Sequence, residues 1–285
     1  MSSIPDLEFR AKPGHVPGFE LMSLKKLFSE DHAPLDHDPF QAHRLSFFAF
    51  MLLQEGSRRH KVDFREYQLE QGDCLMISKN QIHAFCPEQS GEGYLVLFTE
   101  AFLLKYFSPS SLAKITRLYN YHLTSALYHN PTENQRLIKA LQAELLASSS
   151  PAQADIVAAI LSIYLLKLEQ KNPAADRDFD RNYETFNAFR KLVEKGYGQS
   201  RNARDYADQL AISYKHLNEV CKKLTQKTAK AFIDDHVILE IKRQLAATTL
   251  SPKEICFLAG FNEPTNFVKY FKKHTGLTPA GFRKI

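Results

Sequence analysis

The chain has 285 residues, enough for about two domains at the usual ~150 residues each. At 44% apolar and 24% charged residues its composition is globular, which excludes a disordered, collagenous or purely coiled-coil chain. No apolar run reaches the ~18 residues of a membrane span, and Ile156–Leu166, the nearest, stops at Lys167. The start, MSSIPDLEFRAK, lacks a basic segment followed by an apolar core, so no signal peptide is expected. Cys74, Cys86, Cys221 and Cys256 are scattered without a CxxC pair. They read as reduced, structural thiols of a cytoplasmic protein, not as a zinc site or a disulfide framework. Residues 181–285 carry 19 basic and 10 acidic side chains, a net of +9, while residues 1–180 sum to −4. A basic third on a mildly acidic remainder suggests a polyanion-binding module attached to a partner domain.

In chain order, residues 1–40 read as irregular. From Arg44 to Phe98 short apolar runs alternate with turn residues: RLSFFAFMLLQ, EGSRR, HKVDFREYQLE, QGD, CLMIS, KNQ, IHAFC, PEQSGEG, YLVLFT. Such runs predict antiparallel strands of a small barrel or sandwich. Val62, Phe64, Glu66 and Gln68 fall on one face of an extended segment and Lys61, Asp63, Arg65 and Tyr67 on the other. From Thr99 the period becomes helical. Short helices are predicted at Ala101–Tyr106 and Leu112–Tyr121. An amphipathic helix follows Thr132-Glu133, and Gln153–Gln170 is a helix apolar on more than one face, either buried or paired with a second chain. The polar segment KNPAADRDFDRN (171–182) reads as a linker. Tyr183–Lys195 is helical and stops at Gly196. Residues 183–285 show no strand alternation, so this module is all-α.

The α module repeats itself. ARDYADQLAISYKHLNEVCKKLTQKT (203–228) and PKEICFLAGFNEPTNFVKYFKKHTGLT (252–278) align at an offset of 49, rising to 50 after one insertion. Each copy is a short helix, a tight turn and a second amphipathic helix: a helix-turn-helix. Ser213 and Asn262 are the expected N-caps of the second helices, where free N–H groups can hold a DNA phosphate. Leu217, Val220, Cys221 and Leu224 make the first buried stripe, and Phe267, Val268 and Phe271 the second. Tyr214, Lys215, Asn218, Glu219 and Lys222 then face outward in one copy, with Lys223 beside them. Glu263, Thr265, Asn266, Lys269, Tyr270 and Lys273 do so in the other, with Lys272 as the counterpart of Lys222. Asparagine can read adenine in the major groove, and lysine can read guanine or neutralise phosphate. A long helix (Asp234–Thr248) joins the copies.

The run GFNEPTNFVKYFKKHTGLTPAGFR resembles the signature of the AraC/XylS family, and EIKRQLAATTLSPKEI resembles that family's connecting helix and junction. The resemblance covers roughly residues 184–285. It implies two helix-turn-helix subdomains on a rigid helix, entering successive major grooves on one face of DNA. Cys256 stands where the family usually has Ala, and Ala211 where it often has Gly. Upstream, Gly72-x5-Ser78-x-Asn80-x2-His83 resembles a second cupin motif, and a barrel of that kind commonly serves this family as a sensor. A first cupin motif needs His-x-His, but here the segment reads His60-Lys61-Val62, leaving only His60, Glu66 and His83 as conceivable ligands. The favoured reading is therefore no metal and no cofactor, with hydrogen-bonding histidines near a pocket mouth. His43, Phe48, Phe50, His60, His83 and Phe85 are the candidate walls of an effector pocket.

The sequence thus predicts a mixed fold: an all-β cupin-like barrel with appended helices (1–170), a linker (171–182) and an all-α double helix-turn-helix domain (183–285). The expected activity is non-enzymatic transcription regulation, with promoter DNA and a small organic effector as partners, RNA polymerase as well for an activator, and a homodimer formed by the helices at 132–170. A metal-dependent cupin enzyme and a ligand-independent architectural DNA-binder are the alternatives.

Overall fold

The computed structural model describes residues 4–10, 15–28, 38–87, 91–147, 150–171 and 177–284, the side chains of 177–180 excepted. Contacts divide the chain into one unit of residues 5–173 and another of residues 174–285, which also takes in Ile4.

In the first unit the opening segment is not irregular throughout. It supplies β1 (Asp6–Leu7), β2 (Phe19–Ser23) and a short α1 (Leu24–Leu27). β3 (His43–Leu45), β4 (Phe48–Glu55), β5 (Ser57–Val62), β6 (Arg65–Glu70), β7 (Asp73–Ile77), β8 (Ile82–Phe85) and β9 (Glu92–Phe98) follow. Then come α2 (Glu100–Tyr106), α3 (Pro109–Leu118), β10 (Leu127–His129), α4 (Pro131–Leu146) and α5 (Gln153–Glu169).

Two expected turns move. EGSRR is not a loop: only Gly56 takes a positive φ of 72°, and Ser57 already pairs with Glu70. HKVDFREYQLE is not one strand. Asp63 adopts φ 52° and reverses the chain, so Val62 pairs with Arg65 and the expected side-chain alternation breaks. Val62 is buried, while Phe64 sits 41% exposed at the tip. Aspartate tolerates the left-handed region better than most residues, so it can make this turn without glycine.

The strands form two five-stranded sheets, one in the order β1-β3-β8-β5-β6 and the other β10-β7-β4-β9-β2. Alternation along β4 decides what fills the space between them. Ala49, Met51 and Leu53 point inward to meet Leu45, Val62, Leu69 and Phe85 of the facing sheet. Phe50 and Leu52 point the other way, with Cys74, Met76, Val96 and Phe98, against α2 to α5. α5 buries Val157, Ala158, Leu161, Tyr164, Leu165 and Leu168 in this second core. Of its other apolar side chains, Ile160 and Leu166 are half-buried against this core, while Ile156 at 40% and Ile163 at 57% face solvent.

In the second unit α6 runs over Arg177–Gly196, so the later part of the expected linker is helical; residues 172–176 of that linker lie outside the described residues. α7 (Ala203–Gln209), α8 (Tyr214–Thr225), α9 (Ala229–Ala247), α10 (Pro252–Leu258), α11 (Pro264–Thr275) and α12 (Pro279–Phe282) complete it. The repeat is atomic. Ile212 N–H donates to Ala207 O at 3.1 Å, and Phe261 N–H to Cys256 O at 3.0 Å. Thr225 Oγ1 bonds Cys221 O and accepts from Lys227 N–H, as Thr275 Oγ1 does with Phe271 O and Leu277 N–H. The four cysteines are buried and free, and burial pushes the Cys74 and Cys221 thiols up to about 12. Among the described residues no helix is long and apolar enough to cross a membrane.

Both turns between the paired helices need a left-handed residue: Ala211 at φ 53° and Gly260 at φ 73°. Ala pays about 1–2 kcal/mol there, which glycine avoids at a smaller entropic cost. Ala211→Gly should therefore raise stability by about 0.5–1 kcal/mol in urea unfolding. Gly260→Ala should lower it by about 2–5 kcal/mol, because strain is joined by a clash. A Cβ at Gly260 would stand 1.9 Å from Gly198 O.

Candidate nucleic-acid interface

α8 is built as an outward-reading helix. Ser213 in extended conformation caps it, its hydroxyl accepting from His216 N–H at 3.1 Å. Leu217, Val220 and Cys221 are buried, and Leu224 is half-buried. Tyr214, Lys215, His216, Glu219, Lys222 and Lys223 are exposed. Asn218 departs from expectation. It is half-buried, and its amide oxygen accepts from Ala229 N–H at 2.9 Å. That bond satisfies a free donor in the first turn of α9 and occupies the atom that base reading would use.

α11 differs at its start. Asn262 is not the cap: the N-cap position is Glu263, which makes no side-chain cap bond, because Pro264 takes the first helical position. Proline prefers that place, where no N–H is required, and so shifts the boundary by one residue. Asn262 and Glu263 are exposed, as are Thr265, Asn266, Lys269, Lys272 and Lys273; Phe267 and Phe271 are buried and Val268 half-buried. Tyr270 does not face outward. Its hydroxyl donates to Asp234 Oδ1 at 2.8 Å, and its ring packs 5.1 Å from Phe261. Lys215, Lys222, Lys269, Lys272 and Lys273 make no ion pair among the described residues, so their charge is available to a polyanion.

An open groove of about 610 Å³ beside the α8 N-terminus brings in residues that the sequence reading missed. Arg204, Tyr214 and Lys230 line it, with the Arg204 guanidinium 5.8 Å from the Tyr214 ring centre. The outward periodicity of α7 offers Arg204 a solvent position, but nothing local places Lys230 of α9 beside it.

In the barrel, four of the six expected pocket residues meet and two do not. His60 and His83 are buried side by side, Nε2 to Nδ1 at 3.1 Å. His43 lies 4.2 Å from His83 between ring centres, and Phe85 lies 4.7 Å from His60. His43 Nδ1 is 2.9 Å from Gln41 O. Phe48 stands on the opposite side of β4, against Phe98 and Tyr119 in the helix-facing core. Phe50 stacks on Tyr164 there, so it is no pocket wall either. Burial, then His43 and Arg58, hold the His60 imidazole down at about 3. Glu66 is exposed and pairs with Arg59 at 3.2 Å, so His60, Glu66 and His83 do not converge as a ligand set. No group of three side chains able to hold a metal occurs among the described residues.

Two measurements follow. On cognate DNA, Asn266→Ala should cost about 1–3 kcal/mol and relax preference at one base pair, whereas Asn218→Ala should lower thermal stability and leave base preference unchanged. For His60, the folded barrel refuses a proton that the unfolded chain accepts below pH ~6.5. Its contribution is therefore intact above that pH and declines towards pH 3, by up to about 1.4 kcal/mol per unit. Unfolding free energy measured from pH 7.5 to 5 should fall with a slope that His60→Gln reduces.

An AraC-like ligand binding domain model matches residues 31–163, and a helix-turn-helix domain model matches residues 206–285. The chain is 22% identical to the HTH-type transcriptional activator RhaS of Yersinia pestis, covering 90% of this chain and 96% of that one. It is 31% identical over 98 residues to the Msm operon regulatory protein of Streptococcus mutans, covering 34% of this chain and 35% of that protein. Unsaturated fatty acid bound ToxT of Vibrio cholerae is 16% identical, with 94% of this chain and 95% of that one covered at a TM-score of 0.43. The chain thus pairs an AraC-like ligand binding domain with a C-terminal helix-turn-helix domain, the make-up of an AraC-type DNA-binding transcriptional regulator.

Proposed function

We propose that this regulator is an effector-responsive activator that holds promoter DNA as a homodimer. The observation that carries the reading is the pair of exposed, lysine-rich helix faces on α8 and α11, each braced from behind by a buried stripe. Ser213, Tyr214, Lys215, Lys222 and Lys223 on one helix, and Asn262, Glu263, Thr265, Asn266, Lys269, Lys272 and Lys273 on the other, meet DNA. Asn266 reads a base and the lysines neutralise phosphates. Asn218 acts indirectly, by holding the start of α9. Arg204 and Lys230 join the backbone contacts from the groove beside Tyr214. Activation is favoured because RhaS, matched over 90% of this chain, is an HTH-type transcriptional activator; contact with RNA polymerase follows from that role.

The effector is a small organic molecule that uses the imidazoles of His43, His60 and His83 as polar handles and Phe85 as an apolar wall. A neutral His60 offers one donor or acceptor without a buried charge. The ligand acts on DNA binding by preferring one state of the protein, since equal affinity for both would shift nothing. The buried histidine cluster favours this over a ligand-independent architectural role.

For the dimer, Leu161 is excluded because it is fully buried in its own domain. Ile156, Ala159, Ile160 and Ile163 form the outer stripe of α5, at helical spacing, and a second copy covers it. Two linked DNA-binding units gain avidity without new contacts.

Titrating the full chain against its own upstream DNA at several salt concentrations should give a steep negative slope, which Lys272→Ala flattens by about one. The double change Ile156→Glu and Ile163→Glu should give folded monomers in sedimentation, with weaker binding to that DNA. Folded dimers would place the interface elsewhere. Absence of a salt slope would remove the DNA reading.

A further inference from the structure

Contacts outside the exposed helix faces tie the second helix-turn-helix copy to α9 and to the segment that precedes α7. The Arg201 guanidinium, in the loop before α7, lies 3.7 Å above the centre of the Phe261 ring, in the turn of the second copy. The same group donates to Ala259 O at 3.4 Å and lies 5.9 Å from the Tyr270 ring centre. Tyr270, on the second recognition helix, in turn donates to Asp234 on α9, where Lys230 also pairs. Backbone approaches backbone as well: Gly198 O occupies the place a Cβ on Gly260 would need. Phe261 is buried, so the cation over it is partly shielded from water, where such a contact is worth more than at an open surface.

We propose that Arg201 and Tyr270 form a latch that fixes α8 and α11 at one mutual orientation, so that the protein reads its two DNA subsites as one rigid unit of set spacing. This rests on the reading that both helices touch DNA. The latch residues are positioning residues: none of them has to meet a base. With the latch closed, engagement of one subsite presents the second helix at high effective concentration. With it open, the second helix must be ordered again at each encounter, and the joint site loses affinity while each single subsite keeps its own. The frame also sets a ruler. One inserted base pair moves the second subsite by about 3.4 Å and a tenth of a turn, which a latched frame cannot follow.

The test uses the full chain and duplexes selected by the wild type from a random-sequence pool. Three versions are compared: the selected site, the site with the half protected by α11 scrambled, and the site with one base pair inserted between the halves. The wild type should bind the first much more tightly than the other two. Arg201→Ala should lose about tenfold on the selected site, stay within twofold on the scrambled one, and show a smaller insertion penalty. Tyr270→Phe, which removes a single hydroxyl, should repeat the pattern at about threefold, and it decides the matter if Arg201→Ala does not fold. Arg201→Lys, keeping the cation over Phe261 without the fork that reaches Ala259 O, should fall between. Equal loss on all three duplexes would mark Arg201 as a phosphate contact and overturn the latch. An unchanged insertion penalty in the folded variants would overturn it as well. A wild type that binds the scrambled site as tightly as the selected one would instead remove the two-helix reading beneath it.

Discussion

The DNA-binding unit depends on one shared core. A pair of short helices cannot bury its own apolar stripe, and the stripes of α8 and α11 are only three or four side chains each. α9 resolves this by being apolar on several sides. Phe232, Ile233, Val237, Ile238, Ile241 and Leu245 are all buried along it. α6, α7 and α8 pack on it from one copy and α10 and α12 from the other. Even Arg243 is enclosed, with Glu240 as its partner. Such a pair contributes little net stability, but removing either member would strand a buried charge. α8 is seated on this helix directly, and α11 through α10 and α12 with Tyr270 bonded to Asp234, and what the two helices present to solvent follows from that seating.

The same logic organises the N-terminal unit. β4 serves two cores at once, Met51 and Leu53 toward the facing sheet and Phe50 and Leu52 toward the helices. A strand used on both faces reads as a continuous apolar run, and FAFMLLQ does. Such a run cannot tell which residues line a ligand site and which support a helix. This is why Phe48 and His60, both plausible walls in the sequence, end on opposite sides of a sheet.

What the sequence discloses follows from how local the cause is. The helix-turn-helix copies are legible because their cause is repeated within fifty residues: matching turns and matching stripes. The cap at Ser213 and the left-handed demand at Ala211 are local chemistry and can be read from neighbours. Pairing of β2 with β9 joins residues nearly eighty positions apart, and no pattern around Phe19 announces Phe98. Asn218 and Tyr270 show a finer limit. Periodicity placed both on outward positions, but each has a polar atom that found a partner on α9, Ala229 N–H and Asp234. An outward angle on a helical wheel says nothing about a third helix passing beside it. Arg201 gives no local sequence signal for the same reason: its ring contact is with Phe261, sixty residues later.

The buried cysteines carry a consequence of a different kind. Cys74 lies in the helix-facing core of the first unit, Cys221 and Cys256 in the cores of the two motif copies. Burial disfavours the thiolate, the form that reacts, so in the native state these sulfurs are chemically silent. Each becomes reactive only when its own surroundings open. Alkylation of each thiol is therefore a clock for local opening: Cys74 times the N-terminal unit, and Cys221 and Cys256 time the two halves of the DNA-binding unit, in one unmodified chain.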